Sequence, residues 1–225
     1  MDEFFAEPLE QGLARVGEEE LQLWSRSTTT IAGQLIERVT ISGWSGVGET
    51  EVVRVHTPPA GMVRDWLVRS RSDSAALPNC LQPHIPETTL FSRRANDPVL
   101  ATLSGSGLGP RLISRLVELA RLPGELRTLI GEKDDLANPT PEADGFGWSA
   151  VEAARGLLIH AVELRDGVVE DYRILPPTRW NFDSEGVAKR CLTELQSNDF
   201  QVRLQQANLI VNAIDPCVAH EVRVH

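Results

Sequence analysis

The residues best suited to chemistry lie near the C-terminus, in the tripeptide Asp215-Pro216-Cys217. A cysteine thiolate is the best soft-metal ligand available to a protein. Pro216 lacks a backbone donor and has a fixed φ, so it ends the preceding apolar segment, residues 209–214. His220 follows three residues after Cys217, a spacing that could close a Cys/His metal chelate. The alternative is that Cys217 is a small buried apolar residue, as free cysteines often are.

Further motifs precede this tripeptide. They are GFG at 145–147, EAARGLLIH at 152–160, the dipeptide Asp166-Gly167 and PPTRWN at 176–181. In order and spacing, the whole set resembles the C-terminal part of the large subunit of nickel–iron hydrogenases. The resemblance covers residues 145–225 and is specific as a set, although no single motif would identify the family.

The sequence departs from that family at the metal ligands. The family ends in Asp-Pro-Cys-x-x-Cys-x-x-His, whereas His220 and Arg223 stand here at the second Cys and at the His. The family's N-terminal Cys-Gly-x-Cys pair has no counterpart. Of the four thiolates that hold the nickel–iron site, only Cys217 remains at an equivalent position. The pattern is therefore similar to HupK/HoxV-type maturation factors, degenerate large-subunit relatives that help to assemble the hydrogenase active site.

This resemblance implies a pocket for an iron unit of the type Fe(CN)2CO, held transiently, and no nickel. Cyanide nitrogens are strong acceptors, and a guanidinium offers donors that are always protonated. The resemblance places Arg155 at one cyanide and Thr178 at the other, with Pro177 as a rigid apolar wall. Asp215 would orient Arg155 through a charge-assisted hydrogen bond.

Structural roles are the alternative for the same side chains. Arg155 could pair with Asp215 or with Glu152 simply to bury a turn. Thr178 could bond to its own backbone, as threonines near turns and helix starts do. The resemblance and the structural roles therefore predict the same neighbours for Arg155, but only the first predicts a bound ligand.

A second metal-binding pair is possible at Cys80 and His84, which are four residues apart. In the family, the second Cys of the N-terminal pair is also followed four residues later by a His. Residues 87–93 distantly resemble a different family segment, Glu-x-Gly-Pro-Leu-Ala-Arg, which lies far downstream of those cysteines, so the two alignments compete. Cys80 is thus either a second iron ligand, for which His220 is the other candidate, or a packing residue. We predict that Cys191 is a core or interface residue.

The composition limits which classes of protein this chain can belong to. The chain has 225 residues, of which 41% are hydrophobic and 24% charged, as in ordinary globular proteins. A net charge of −10 argues against nucleic acids and anionic membranes as partners. There is no apolar run long enough to span a bilayer and no signal-peptide pattern. Three cysteines cannot form a complete disulfide framework, so we expect a cytoplasmic protein.

The expected fold is α+β, with small β elements and a helical layer, resembling a truncated large subunit. We expect a mobile N-terminal segment (1–30), a β-then-helical half (31–135) and a C-terminal half that carries the motifs (145–225). Residues 18–24 favour a helix, and residues 35–41, 51–56 and 63–68 favour strands. Residues 97–135 are predicted to be helical with a break at Pro123-Gly124, and their arginines at 111, 115 and 121 to form a solvated face.

The C-terminal elements follow from local signals. Asp166-Gly167 predicts a hairpin of residues 156–164 and 168–175. A helix is expected at 184–196, with Ser184 as its N-cap, and another at 199–213. The end of the last helix should bring Cys217 close to Arg155, at the start of the hairpin.

Three functions are consistent with these patterns. The first is a non-catalytic scaffold that passes the iron unit to the true hydrogenase large subunit or to a small chaperone. The second is a metal-free interaction module of the hydrogenase maturation machinery. The third is an enzyme that uses a different metal at Cys217 and His220. The resemblance favours the first function. A single remaining thiolate would bind the iron unit weakly enough for the unit to be transferred.

Overall fold

The computed structural model describes residues 17–54, 58–72, 77, 85–131 and 145–223. They form the predicted α+β fold, in which helices precede and follow one three-stranded sheet. Cys80 and residues 55–56 of a predicted strand lie outside the described residues. So do residues 1–16 of the N-terminal segment that was expected to be mobile.

Among the described residues before the sheet, all the regular structure is helical. They are α1 (Glu18–Ser27), α2 (Ile31–Ile41), α3 (Ala60–Ser70), α4 (Leu90–Arg93), α5 (Pro98–Ala101) and α6 (Leu108–Gly131). The helix predicted at 18–24 is confirmed as α1, which continues three residues further.

Helices α2 and α3 show that the strands predicted at 35–41 and 63–68 were wrong. In both helices the buried positions recur every three or four residues: Ala32, Ile36 and Val39 in α2, and Met62, Val63, Trp66 and Leu67 in α3. Burying one helical face outweighed the weak strand preference of the β-branched residues. Residues 51–54 are not a strand either, although the carbonyl of Val53 accepts a hydrogen bond from the Glu87 amide at 2.9 Å.

Helix α6 corrects two further predictions. It runs without a break through Pro123, although proline removes the hydrogen bond to the residue four positions earlier. That residue, Leu119, is 51% exposed, so water can solvate the carbonyl that proline leaves without a partner. The expected solvated arginine face is also wrong for Arg111, which is 1% exposed.

The sheet consists of β1 (Phe146–Ala153), β2 (Gly156–Arg165) and β3 (Val168–Leu175), antiparallel in the order β1-β2-β3. The predicted β2–β3 hairpin is confirmed. Asp166 and Gly167 both have positive φ, 51° and 77°, as a type I′ turn requires. Strand β1 pairs with β2 in a register that places Ala153 opposite Gly156. Ala154 and Arg155 therefore form the turn between these two strands.

Three helices follow the sheet: α7 (Pro177–Asn181), α8 (Val187–Thr193) and α9 (Phe200–Ile214). Helix α8 is shorter than predicted, and its N-cap is Gly186, because the Ser184 hydroxyl bonds to Asp183 instead. Asp199 caps α9 by accepting hydrogen bonds from the next turn's amides at 2.7 and 3.0 Å.

Two hydrophobic cores hold these elements. The first joins α1, α2 and α6 to α8 and α9, and includes Cys191, which is 1% exposed, as its predicted core role requires. The second packs α3 and Trp180 of α7 against the sheet. The β1–β2 turn is attached to the second core and the end of α9 to the first. No helix in the described part of the chain is long and apolar enough to cross a membrane.

Candidate ligand site at the end of the last helix

Asp215 changes the direction of the chain at the end of α9. Its φ is 63°, in the left-handed region that Asp and Asn tolerate better than most residues. Its amide still donates to the carbonyl of Val211 at 3.0 Å, which completes the last helical turn. Pro216 and Cys217 consequently leave the helix, and Cys217 lies exposed in a bend.

Arg155 meets Asp215 from the β1–β2 turn. Its Nε lies 3.2 Å from Asp215 Oδ2, which is the predicted contact between the two motifs. The charge of Asp215, and after it that of Cys217, raises the pKa of Arg155 above its usual range. A permanently charged donor group therefore stands beside the only cysteine of the C-terminal motif. The Arg155 side chain is 43% exposed, so the site is open to solvent.

A second arginine, Arg115 of α6, also lies at Asp215. Its Nη2 is 3.6 Å from Asp215 Oδ1, and its Nη1 donates to the carbonyl of Asn212 at 2.5 Å. Asp215 thus lies between two guanidinium groups that come from different elements. Sequence analysis missed this role of Arg115, because its helical spacing fitted a solvated face equally well.

Pro177 and Thr178 open helix α7, where Pro177 is buried and Thr178 half-buried. No hydrogen bond links Thr178 to Arg155 among the residues that the structure describes. The last two residues of the same motif pack in the interior, since Trp180 and Asn181 are 0% and 1% exposed. Asn181 Oδ1 accepts a hydrogen bond from the amide of Thr88 at 3.0 Å.

The predicted metal ligands are only partly described. Cys217 and His220 are both exposed, whereas Cys80 lies outside the described residues. Within residues 17–54, 58–72, 77, 85–131 and 145–223, no group of three or more His, Cys, Asp and Glu side chains could hold a metal ion. The described site therefore offers one exposed cysteine with charged donors beside it. Whether these residues bind a ligand stays a prediction.

A groove of about 640 Å³ opens next to Asp215. Its apolar floor includes Leu90 and Leu119, and its walls carry ion pairs within the chain, such as Arg93–Glu118 and Arg94–Glu125, both at 2.7 Å. Ala154, next to Arg155 in the β1–β2 turn, also lines it. The groove thus shares Asp215 with the candidate site and adjoins it at Ala154.

Comparison with known proteins decides the family. The family model described as nickel-dependent hydrogenase matches residues 112–223. Through its C-terminal half, this chain belongs to the nickel-dependent hydrogenase family. All the candidate site residues except Cys80 lie in the part that matches this family. The match also includes Arg115, which contacts Asp215.

Two curated relatives illustrate the similarity. The hydrogenase expression/formation protein HupK of Rhizobium leguminosarum bv. viciae is 33% identical over 168 residues, which are 70% of this chain and 43% of the relative. The hydrogenase expression/formation protein HoxV of Cupriavidus necator is 40% identical over 81 residues, 34% of this chain and 21% of the relative. The matched part of the chain thus spans less than half the length of these relatives.

Among solved structures, the Ni-Fe-Se hydrogenase from D. vulgaris Hildenborough aligns with 59% of this chain and 34% of its own. The two are 19% identical, with a TM-score of 0.44. A similarity at this level says nothing about the candidate site. The nickel-dependent hydrogenase assignment rests on the sequence match.

Proposed function

We propose that this chain is a non-catalytic scaffold in hydrogenase assembly, which holds an Fe(CN)2CO unit transiently and passes it to a true hydrogenase large subunit. Similarity to hydrogenase expression/formation proteins supports the general role. One structural observation carries the specific proposal, the meeting of Arg155, Asp215 and Cys217 at the end of α9. Their motifs are 60 residues apart along the chain, from 155 to 215.

The chemistry of the three side chains fits this cargo. The Cys217 thiolate is a soft ligand for low-spin iron. Arg155 is charged and 43% exposed, so it can donate to an acceptor beside Cys217. The Asp215 carboxylate pairs with Nε of the Arg155 guanidinium. The thiolate would bind the iron, and the guanidinium would stabilise a cyanide that carries negative charge.

Release is as important as binding for a scaffold. The described part of the site has one thiolate, where the nickel–iron hydrogenases use four, and it is open to solvent. Fewer strong ligands mean a lower affinity, and an exposed site lets a partner approach the cargo. A small chaperone and the hydrogenase large subunit are therefore the partners we propose.

A second candidate is a metal-free interaction module of the maturation machinery. It is favoured by the direct pairing of Arg155 with Asp215 at 3.2 Å, which gives both side chains a structural role without a ligand. Protein purified without oxygen from cells that make a nickel–iron hydrogenase separates the two. The scaffold should carry iron together with infrared bands of bound cyanide and carbon monoxide, whereas the interaction module should carry neither.

The Arg155→Ala variant should retain the iron unit about 10- to 150-fold less well, because a hydrogen bond to a charged group contributes about 1.5–3 kcal/mol. Iron content after stepwise dilution measures this. Arg165→Ala is the matched control, since Arg165 is 69% exposed at the other end of β2 and pairs with Glu170. Equal retention of iron by the wild type and both variants would show that Arg155 does not help to hold the iron unit.

The purified protein should not oxidise hydrogen, because only one of the family's four metal-binding thiolates has an equivalent. The measurement is hydrogen-dependent reduction of a redox dye by protein loaded with iron, nickel or both. Activity that disappears in Cys217→Ser would instead support the enzyme alternative, with a metal at Cys217 and His220.

A further inference from the structure

Glu87 and Arg111 form an ion pair in the interior. Their side chains are 0% and 1% exposed, and Arg111 Nη2 lies 2.6 Å from Glu87 Oε2. The hydroxyl of Thr89 donates to Glu87 Oε1 at 2.5 Å, and the guanidinium lies 5.1 Å from the ring centre of Phe91. An apolar pair of similar volume is often as stable as a buried ion pair, or more so. Stability alone therefore does not explain the pair.

The neighbour of Glu87 holds helix α7. The amide of Thr88 donates to Asn181 Oδ1 at 3.0 Å, and its hydroxyl lies 3.4 Å from the same oxygen. Asn181 is buried, one helical turn after Thr178. The position of Thr178 is thus tied to the backbone next to Glu87.

The same segment also holds the β1–β2 turn that carries Arg155. The carbonyl of Thr88 packs against Gly156 so closely that a Cβ atom there would lie 2.0 Å from its oxygen. On the other side of the turn, Arg93 Nη1 donates to the carbonyl of Ala153 at 2.7 Å. Contacts from residues 88 and 93 therefore flank Arg155 on both sides.

Arg111 extends this connection to the end of α9. Arg115 follows it by one turn on α6 and contacts both Asn212 and Asp215. Helix α6 thus carries both Arg111, the partner of Glu87, and Arg115, which contacts the C-terminal motif at Asp215. These contacts therefore reach three places that carry candidate site residues. They are α7 with Thr178, the β1–β2 turn with Arg155, and the end of α9 with Asp215.

We infer that the buried Glu87–Arg111 pair is a positioning device, which fixes Arg155, Thr178 and Asp215 relative to one another. It acts through Thr88 on α7 and the turn, and through α6 on Asp215. An apolar pair could fill the same volume, but it would not hold the segment in one orientation, because only the charges and their hydrogen bonds are directional. The inference rests on the proposed scaffold function for its ligand, and on the contacts alone for its geometry.

The decisive variant is the double substitution Glu87→Leu with Arg111→Met, which removes both charges and leaves neither one buried without a partner. Its melting temperature should stay within a few degrees of the wild type. In the wild type, the order parameter of the Arg155 Nε–H bond, from ¹⁵N relaxation, should be well above that of the exposed Arg165. In the double variant, it should fall to the value of Arg165. Retention of the iron unit should fall at least tenfold. An ordered Arg155 in a folded double variant would overturn the inference.

Arg111→Lys gives a second test if the double variant does not fold. Lysine keeps the charge but lacks the planar fork of arginine, so Arg155 should lose part of its order in a folded protein. No loss would overturn the inference. Arg121→Met is the control, because Arg121 lies on the same helix in a pair with Asp97 at 2.8 Å that does not lead to the site. A loss of Arg155 order in this control would equally overturn it.

The two readouts separate this inference from the scaffold function. If the wild type holds no iron but the double variant still disorders Arg155, the positioning pair is correct and the scaffold proposal is wrong. If the wild type holds iron and the double variant retains it with an ordered Arg155, the scaffold stands and the positioning pair is wrong.

Discussion

Cys217→Ser should abolish iron retention while it leaves the melting temperature almost unchanged. A serine oxygen is too hard a ligand to replace a thiolate on low-spin iron. The side chain at this position is exposed and belongs to neither core, and surface substitutions of this kind change stability by about 0.5 kcal/mol or less. Iron analysis, the infrared bands, a thermal melt and hydrogenase maturation in cells together measure the effect.

Cys191→Ser is the matched control for that experiment. Cys191 is 1% exposed, its Sγ lies 3.9 Å from the Thr50 hydroxyl, and burial raises the pKa of its thiol. Placing a hydroxyl there should cost about 1–3 kcal/mol of unfolding free energy, but the folded protein should still retain iron. If Cys217→Ser instead unfolds the protein while maturation persists in the folded remainder, Cys217 is a core residue and the scaffold proposal fails.

Cys80 can be classified in the same assay. Cys80→Ser should cause an intermediate loss of iron if Cys80 is the second ligand, and no loss if it is a packing residue. His220→Ala tests the other candidate in the same way. The two variants together decide which side chain accompanies Cys217.

Gly156→Ala should lower the unfolding free energy by about 3–5 kcal/mol, which combines backbone strain and a steric clash. Gly156 has a φ of 129°, which side-chain-bearing residues rarely adopt, and a Cβ atom would lie 2.0 Å from the Thr88 carbonyl oxygen. Because that neighbour is backbone, either the segment at Thr88 or the turn must move. Arg155 precedes Gly156, so the folded fraction should also lose iron.

Gly167→Ala separates strain from the clash. Gly167 also has a positive φ, 77°, in a turn of the same sheet, but a Cβ atom would meet nothing within 4 Å. This variant should cost only about 1–2 kcal/mol, the usual penalty of the left-handed region, and should keep its iron. Chemical denaturation of both variants measures the difference. Equal losses would mean that the contact with Thr88 is not tight in solution.

The sequence by itself determined the features that depend on residues adjacent along the chain. The dipeptide Asp166-Gly167 specified the β2–β3 hairpin, because few other residue pairs adopt two successive positive φ angles. Asp199 and Pro216 lie at the start and just past the end of α9 through similarly local effects. The resemblance to nickel–iron hydrogenases then predicted that Arg155 and Asp215 would meet, which local signals could not do across 60 residues of chain.

Only the tertiary structure decided which faces of the chain are buried. Residues 35–41 and 63–68 were predicted to be strands, and they became parts of helices because a helical face could pack against a core. Arg111 has the same helical spacing as Arg115, yet the first is buried and the second partly exposed. The difference is the position of Glu87, which lies 24 residues away in sequence and 2.6 Å away in space. A charge can be buried only where folding brings it a partner, and no local pattern of residues records that partner.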